Sequence, residues 1–350
     1  MDVTVEVASA TDRSDLEEIA RADERTMIYS SPVFADFLSR ALRTEVRTLL
    51  ARVDGKAAGT LHYAVSSGPH GRVLNSLPWY GTHGGCTVLP GAPMEVRSSL
   101  LHRFREVTDE DGVLSSCVVL SPFEEVHREV YVDVLRPAVT DERTGMFCPL
   151  LADEDDQMVL MHQKTRNLVR KSLKQGLEVH DDDSDAAWRF LRETHVENIG
   201  ALGGSPKPEH HFSAMRETIP RENRELLLAT TGSTVVAALL VLKFNRTVEY
   251  FVPAVSVEHR STQAMSRLIW EGMRRAVDAG YSWWNWGGTW KSQESLFRFK
   301  SRWGSEVLPY SYLINCSEEN RRTIAREAPG VFASHEYFYL YPREALDDAG

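Results

Sequence analysis

The stretch Tyr281-Ser-Trp-Trp-Asn-Trp-Gly-Gly-Thr-Trp-Lys-Ser-Gln-Glu-Ser-Leu-Phe-Arg-Phe-Lys-Ser-Arg-Trp-Gly304 carries Trp283, Trp284, Trp286, Trp290 and Trp303, out of 8 tryptophans in the chain. Lys291, Arg298, Lys300 and Arg302 are interleaved with them. An aromatic strand that breaks at Gly287-Gly288 and then enters a cationic helix offers rings, free backbone N–H groups and positive charge within a few residues. Such a combination suits a ligand that is part flat and part anionic. Alternation puts Trp284 and Trp286 on one strand face, opposite Trp283 and Asn285, so one pair can fill a core while the other faces a cleft. Aromatic strands mostly fill cores. Gly287, Gly288 and Thr289 are therefore the first candidates for ligand contact, with Trp286 beside them.

Upstream of this stretch, a strand is expected at Thr247–Val252 and a long helix from about Ser261 to Ala279, whose apolar residues repeat at helical spacing. Before them, Glu225–Thr231 and Val235–Phe244 flank Gly232-Ser233 as a hairpin, and Val307–Ile314 follows as a closing strand. The first part of the chain has a similar order. Val3–Val7 alternates as a strand, helices follow at Asp12–Ala22 and Pro32–Leu42, and Leu49–Val53 and Ala57–Val65 flank the hairpin turn Asp54-Gly55. Val73–Leu77, helix Glu95–Val107, and strands Leu114–Leu120, Val130–Leu135 and Gly145–Leu150 complete it. The helix expected over Gln157–Gln175 ends at Gly176, a plausible left-handed cap. This order predicts an α/β (α+β) protein of two domains, 1–150 and 151–350, each a mixed, mostly antiparallel sheet flanked by helices.

At 350 residues the chain is long enough for two cores, and 42% hydrophobic with 9% aromatic residues is ordinary for a folded protein. No apolar run is long enough to span a membrane, so no membrane insertion is expected. The N-terminal residues show neither the basic nor the apolar part of a secretory signal, and the 4 cysteines form no C-x-x-C pair. A cytoplasmic protein without a metal site fits those features; His210-His211 has no further nearby ligand. The net charge of −10 argues against a general nucleic-acid coat, but it is unevenly spread. Base gathers at Lys164–Lys174 and Lys291–Arg302, and acid at 153–156 and 181–183.

A meander of antiparallel strands, a long helix, then a strand and a helix is the order of an acyltransferase fold of the GNAT kind. Two in tandem, with Lys164-Thr-Arg-Asn-Leu-Val-Arg-Lys171 at the junction, Tyr281…Trp286-Gly-Gly-Thr289, and Leu296-Phe-Arg-Phe-Lys-Ser-Arg-Trp-Gly304, resemble the Fem-type aminoacyltransferases, which build peptidoglycan cross-bridges from aminoacyl-tRNA. The resemblance implies a catalytic role for Phe299 and Lys300. It also implies that the basic helix, through Arg166 and Arg170 with Lys164 and Lys171 alongside, holds the phosphates of the acceptor. The segment Pro78-Trp-Tyr-Gly-Thr-His-Gly-Gly85 resembles the loop that lines the acceptor groove, so Tyr80 and His83 become candidates to bind or deprotonate an acceptor amine. The same loop also reads as a tight turn. Many relatives have Asp where this chain has Asn285, and no clear counterpart exists in Pro32–Arg43 for a lysine that some relatives use to grip the acceptor; Arg40 is the nearest cation.

Elementary chemistry gives some of these residues the same task. Arg166, Arg170 and Lys174 at i, i+4 and i+8 would stack like charges at a penalty of about 0.2–0.5 kcal/mol per pair. A bound phosphate relieves that repulsion; a solvated basic face is the alternative. Aminolysis of an ester builds negative charge on the carbonyl oxygen and then on the leaving ribose oxygen, and a fixed Lys300 ammonium stabilises both. Lys291 and Arg298 add positive charge for the donor. An acyl-CoA enzyme would place small residues where strand meets long helix, whereas Val257-Glu-His-Arg-Ser-Thr-Gln-Ala-Met-Ser266 has Gln263 and Met265 there. The expected reaction is thus amide formation from aminoacyl-tRNA as co-substrate, with no resident cofactor. The expected acceptor is a peptidoglycan precursor or another small-molecule or nucleotide-linked amine. An N-acyltransferase using acyl-CoA is the alternative, and a non-catalytic RNA- or nucleotide-binding module is a third possibility. Oligomeric state is not legible.

Overall fold

A computed structural model describes residues 2–78, 83–290 and 293–346 of the chain. The first elements are β1 (Val3–Val7), α1 (Arg13–Ala22), α2 (Pro32–Leu42), β2 (Glu45–Val53), β3 (Lys56–Gly68), β4 (Gly71–Ser76), β5 (Cys86–Val88), α3 (Met94–Thr108), β6 (Val113–Val119) and α4 (Arg128–Leu135). Next come β7 (Val139–Pro149), α5 (Glu154–Leu160), α6 (Gln163–Leu173), β8 (Glu178–Asp181), α7 (Asp185–Ala201), α8 (Glu209–Thr218), β9 (Arg224–Thr231), β10 (Thr234–Phe244) and β11 (Thr247–Val255). The chain closes with α9 (Ala264–Asp278), β12 (Trp283–Thr289), α10 (Glu294–Ser301), β13 (Glu306–Asn315), α11 (Glu318–Arg326) and α12 (Ala328–Ser334). Two compact units result, Met1–Arg143 with Pro309–Gly350, and Thr144–Leu308.

In the first unit β1, β2, β3 and β4 pair antiparallel in succession, β4 pairs β6 in parallel, and β6 pairs the Tyr312–Asn315 stretch of β13 antiparallel. The hairpin between β2 and β3 turns on Asp54 and Gly55, both at positive φ (48° and 83°), as a two-residue turn of right-handed twist requires. Leu100, Leu101 and Phe104 of α3 pack with Leu61, Tyr63 and Leu74 of the sheet. Two expectations change here. The order of elements assigns residues 309–350 to the second domain, yet they pack in the first unit, because β13 completes the ladder beside β6. The β-branched residues of Val130–Leu135 suggest a strand, and the segment is the helix α4. Its buried residues Tyr131, Val134 and Leu135 follow helical spacing, and packing on α3 outweighs local β preference.

The second unit has its own sheet. β7 pairs β12 antiparallel, β12 pairs β11 in parallel, and β11, β10, β9 and β8 continue antiparallel. Helix α9 lays Leu268, Ile269, Met273 and Ala276 onto it, in one core with Trp284, Trp286 and Trp303. The helix expected over Gln157–Gln175 is two, α5 and α6. Met161 and His162 between them are extended (ψ 144° and 143°), and His162 Nδ1 accepts the Lys164 N–H at 3.2 Å as a cap. Met161 is buried in the core, and the His162 N–H goes to the Arg302 carbonyl at 2.9 Å. Tertiary contacts break the helix where neither glycine nor proline marks the sequence.

Candidate functional site

The site begins with an irregularity in β12. Asn285 is fully buried and its Oδ1 accepts the N–H of Gly287 at 2.8 Å. That short side-chain loop accompanies a left-handed Gly287 (φ 70°) and a shift of register against β7 between Asn285 and Gly288. A Cβ at Gly287 would touch nothing, so the backbone angle alone asks for glycine. The expectation of a strand that breaks at the glycine pair is corrected: β12 runs through it to Thr289, with a bulge.

The bulge receives Lys300. Its Nζ donates to the Gly288 carbonyl at 2.9 Å, to Thr289 Oγ1 at 3.1 Å and to the Gly287 carbonyl at 3.3 Å. Only 4% of this lysine is exposed, and burial pushes its ammonium from 10.5 down to about 8. Three hydrogens meet three acceptors, so a substrate oxygen would have to displace one of them, and the contact to Gly287 is the longest. Lys300 is the single buried side chain of α10. Leu296, Phe297 and Phe299 are exposed, while Trp303 just beyond the helix is fully buried and anchors the segment. The Gly304 backbone lies so close to Leu160 that a Cβ would sit 2.7 Å from its Cβ.

Phe299 lies edge-on to Trp286 with ring centroids 5.7 Å apart, and 37% of it remains exposed. Trp286 itself is a core residue, 2% exposed and packed against Tyr250, Trp284 and Trp303, which corrects its reading as a substrate contact. Arg298 is exposed on α10. Lys291 and Tyr80 lie outside the described residues.

On α6, Lys164, Arg170 and Lys171 are exposed, and among the described residues no acid pairs with them. The acidic segment before them is used elsewhere, since Glu154 pairs with Arg274 at 3.3 Å. Arg166 is different: half-buried, it donates through Nη1 to the Met158 carbonyl at 3.1 Å and so clamps the α5–α6 break. Its expected part in phosphate binding is reduced accordingly. No described contact joins the α6 cations to Lys300; the two segments are tied through the His162 and Arg302 backbone.

His83 belongs to the first unit, 1% exposed, with Nδ1 3.1 Å from the Leu120 carbonyl. Burial pushes its imidazolium down to about 4. The ring is therefore neutral at physiological pH, available as a hydrogen-bond acceptor but a weak proton acceptor for an amine. At the start of α9, Gln263 occupies the left-handed conformation (φ 62°) that glycine would favour. Its side chain turns back onto the Arg260 carbonyl at 3.2 Å, and no side chain caps the helix. Sequence reading missed two of these details. Asn285 two residues before a glycine is the pattern of a side-chain-closed turn and was legible; a left-handed Gln263 carries no such signal. Among the described residues no group of three or more His, Cys, Asp or Glu side chains could hold a metal ion, and no helix is long and apolar enough to cross a membrane.

The fold is GNAT-like, and the family match falls within the second unit. Residues 161–301 match the acetyltransferase (GNAT) domain family. Among solved structures, the chain resembles FemX with a TM-score of 0.71 at 13% identity, over 89% of this chain and 97% of that one. It also resembles a tandem GNAT protein from the clavulanic acid biosynthesis pathway (TM-score 0.55, 11% identity, 90% and 98% covered). L-PGS from Bacillus licheniformis is a third (TM-score 0.58, 12% identity, 95% and 98% covered). A search of curated proteins finds no match.

Proposed function

We propose that the protein transfers an aminoacyl group from aminoacyl-tRNA to an amine, forming an amide bond. The buried Lys300 ammonium on the Gly287–Thr289 bulge is the observation that carries this reading. In the reaction the amine nitrogen attacks the ester carbonyl carbon, the carbonyl oxygen becomes an oxyanion, and the bond to the ribose oxygen then breaks as the amine proton passes to that oxygen. Lys300 stabilises both oxygens, exchanging its long contact to Gly287 for the substrate. Phe299, exposed beside it, stacks on a base or excludes water. Lys164, Arg170 and Lys171 have no acid partner among the described residues and suit the phosphates of a polyanion. The acceptor is a peptidoglycan precursor or another small-molecule or nucleotide-linked amine.

Gln263 favours a second reading. Its backbone takes the glycine conformation, its side chain folds back onto the Arg260 carbonyl, and α9 starts without a side-chain cap, as an acyl-CoA pyrophosphate site would require. One assay separates the two: the protein is incubated with charged tRNA or acetyl-CoA and a panel of amines, with and without RNase. Amide product that disappears on RNase treatment is expected. RNase-resistant acetyl transfer would replace the first reading by the second, and tRNA binding without transfer would remove both in favour of a non-catalytic module.

A further inference from the structure

Strand β11 leaves part of one edge open. On one side it pairs β10 as far as Val255, but on the other β12 follows it only over Thr247–Glu249, and the two strands part after Glu249 and Asn285. On β12 the bulge that receives Lys300 begins just past that point. We propose that Asn198 and Pro253 close the open edge of β11 and set donor specificity, refusing any acyl carrier that must lie along β11 as an added strand. The inference rests on the aminoacyl ester reading above and narrows it, since a ribose ester has no arm to lay there.

An exposed strand edge holds an extended ligand through backbone N–H and C=O groups. At Val255 both are taken. Asn198, on α7, donates through Nδ2 to the Val255 carbonyl and accepts the Val255 N–H on Oδ1, each at 3.0 Å. One partner asks for a donor and the other for an acceptor, so the orientation of the carboxamide is fixed. The side chain thus does for Val255 what a neighbouring strand would do, and α7 is held in place by packing on β11 and β10. Pro253 stands two residues earlier, in register with Leu239 of β10. Backbone groups of residues i and i+2 point to the same edge of a strand, so Pro253 shares the edge on which Val255 meets Asn198. It has no N–H to offer there.

Coenzyme A is the carrier that this arrangement excludes. With its pyrophosphate at the start of α9, which the chain reaches from Val255 through Val257–Thr262, its thioester would still have to reach the bulge on β12. The open edge of β11 lies along that path. The arm that would follow it carries amide groups, and these would meet a proline and a backbone pair already satisfied. Displacing Asn198 would leave its own amide without the partners it now has, at the cost of breaking made hydrogen bonds.

Calorimetric titration of the full chain with coenzyme A and with 3′-phospho-ADP, which lacks the arm, tests this. In the unaltered protein coenzyme A is expected to bind no more tightly than 3′-phospho-ADP. In the double variant Asn198→Ala with Pro253→Val, which frees Val255 and restores an N–H, coenzyme A is expected to bind at least about ten-fold more tightly than 3′-phospho-ADP. Such a preference in the unaltered chain, or its absence in the variant, would overturn the proposal. Should the variant fail to fold, hydrogen exchange at the Val255 amide of the unaltered chain decides: protection unchanged by coenzyme A is expected, and protection altered by it sinks the idea. The RNase assay reads a different quantity. Transfer from charged tRNA together with a coenzyme A preference in the unaltered chain would remove this inference and leave the reaction standing, whereas no transfer with the variant's gain intact would do the reverse.

Discussion

At the scale of the residue, Lys300 is a buried ammonium whose position in the second unit gives it the clearest task. A buried ammonium with three acceptors of its own survives only where the surrounding backbone has been shaped for it, and the bulge at Gly287–Gly288 is that shape. Lys300→Met is expected to keep the fold by circular dichroism while aminoacyl transfer falls by about 10²–10³, the usual cost of removing one oxyanion-stabilising donor. The pH dependence has opposite signs for stability and activity. Between about 8 and 10.5 the unfolded chain holds a proton that the folded chain has shed, so stability from this residue rises with pH through that window. Transfer that depends on the ammonium instead declines as pH passes about 8, and a pH–rate profile flat to about pH 10 would contradict the assignment. Lys300, Gly287, Gly288 and Thr289 were all legible in the sequence, because a lysine beside a Phe and a Gly-Gly-Thr turn carry local signals. Their convergence was not, since the Asn285 contact and the burial of Lys300 arise from packing.

Among the elements, α6 and α10 show how far periodicity carries. The basic stripe of α6 was readable, but its boundary was not: Met161 enters the core and His162 bonds Arg302, long-range events that no local residue announces. The stripe splits into Arg166, which holds the Met158 carbonyl, and the exposed Lys164, Arg170 and Lys171. Alanine at all three exposed positions is expected to change stability by no more than about 0.5 kcal/mol. It should raise the KM for charged tRNA and flatten the slope of log affinity against log salt by about 0.7–0.9 for each phosphate that is no longer neutralised. An unchanged slope would assign these cations to solvent. Helix α10 inverts the ordinary pattern, with Leu296, Phe297 and Phe299 outward and Lys300 inward.

For the whole molecule, the order of strands and helices was largely legible from alternation, hairpin turns and the long helix α9. The errors were α4, whose valines mimic a strand, and the placement of the last residues. Tyr310, Ile314, Ile324, Val331, Leu340 and Tyr341 form one core with Val73, Leu114, Cys117 and Val119, so the end of the chain completes the first unit. A chain ending at residue 308 is expected to leave that unit without cooperative unfolding, measured by hydrogen exchange of its β-strand amides, while the second unit keeps protection. Full protection of β6 in that shorter chain would refute it. On the ribosome, then, the sheet of the first unit waits with β6 uncovered until residues 309–346 leave the exit tunnel, by which time the inserted unit, Thr144–Leu308, has emerged whole.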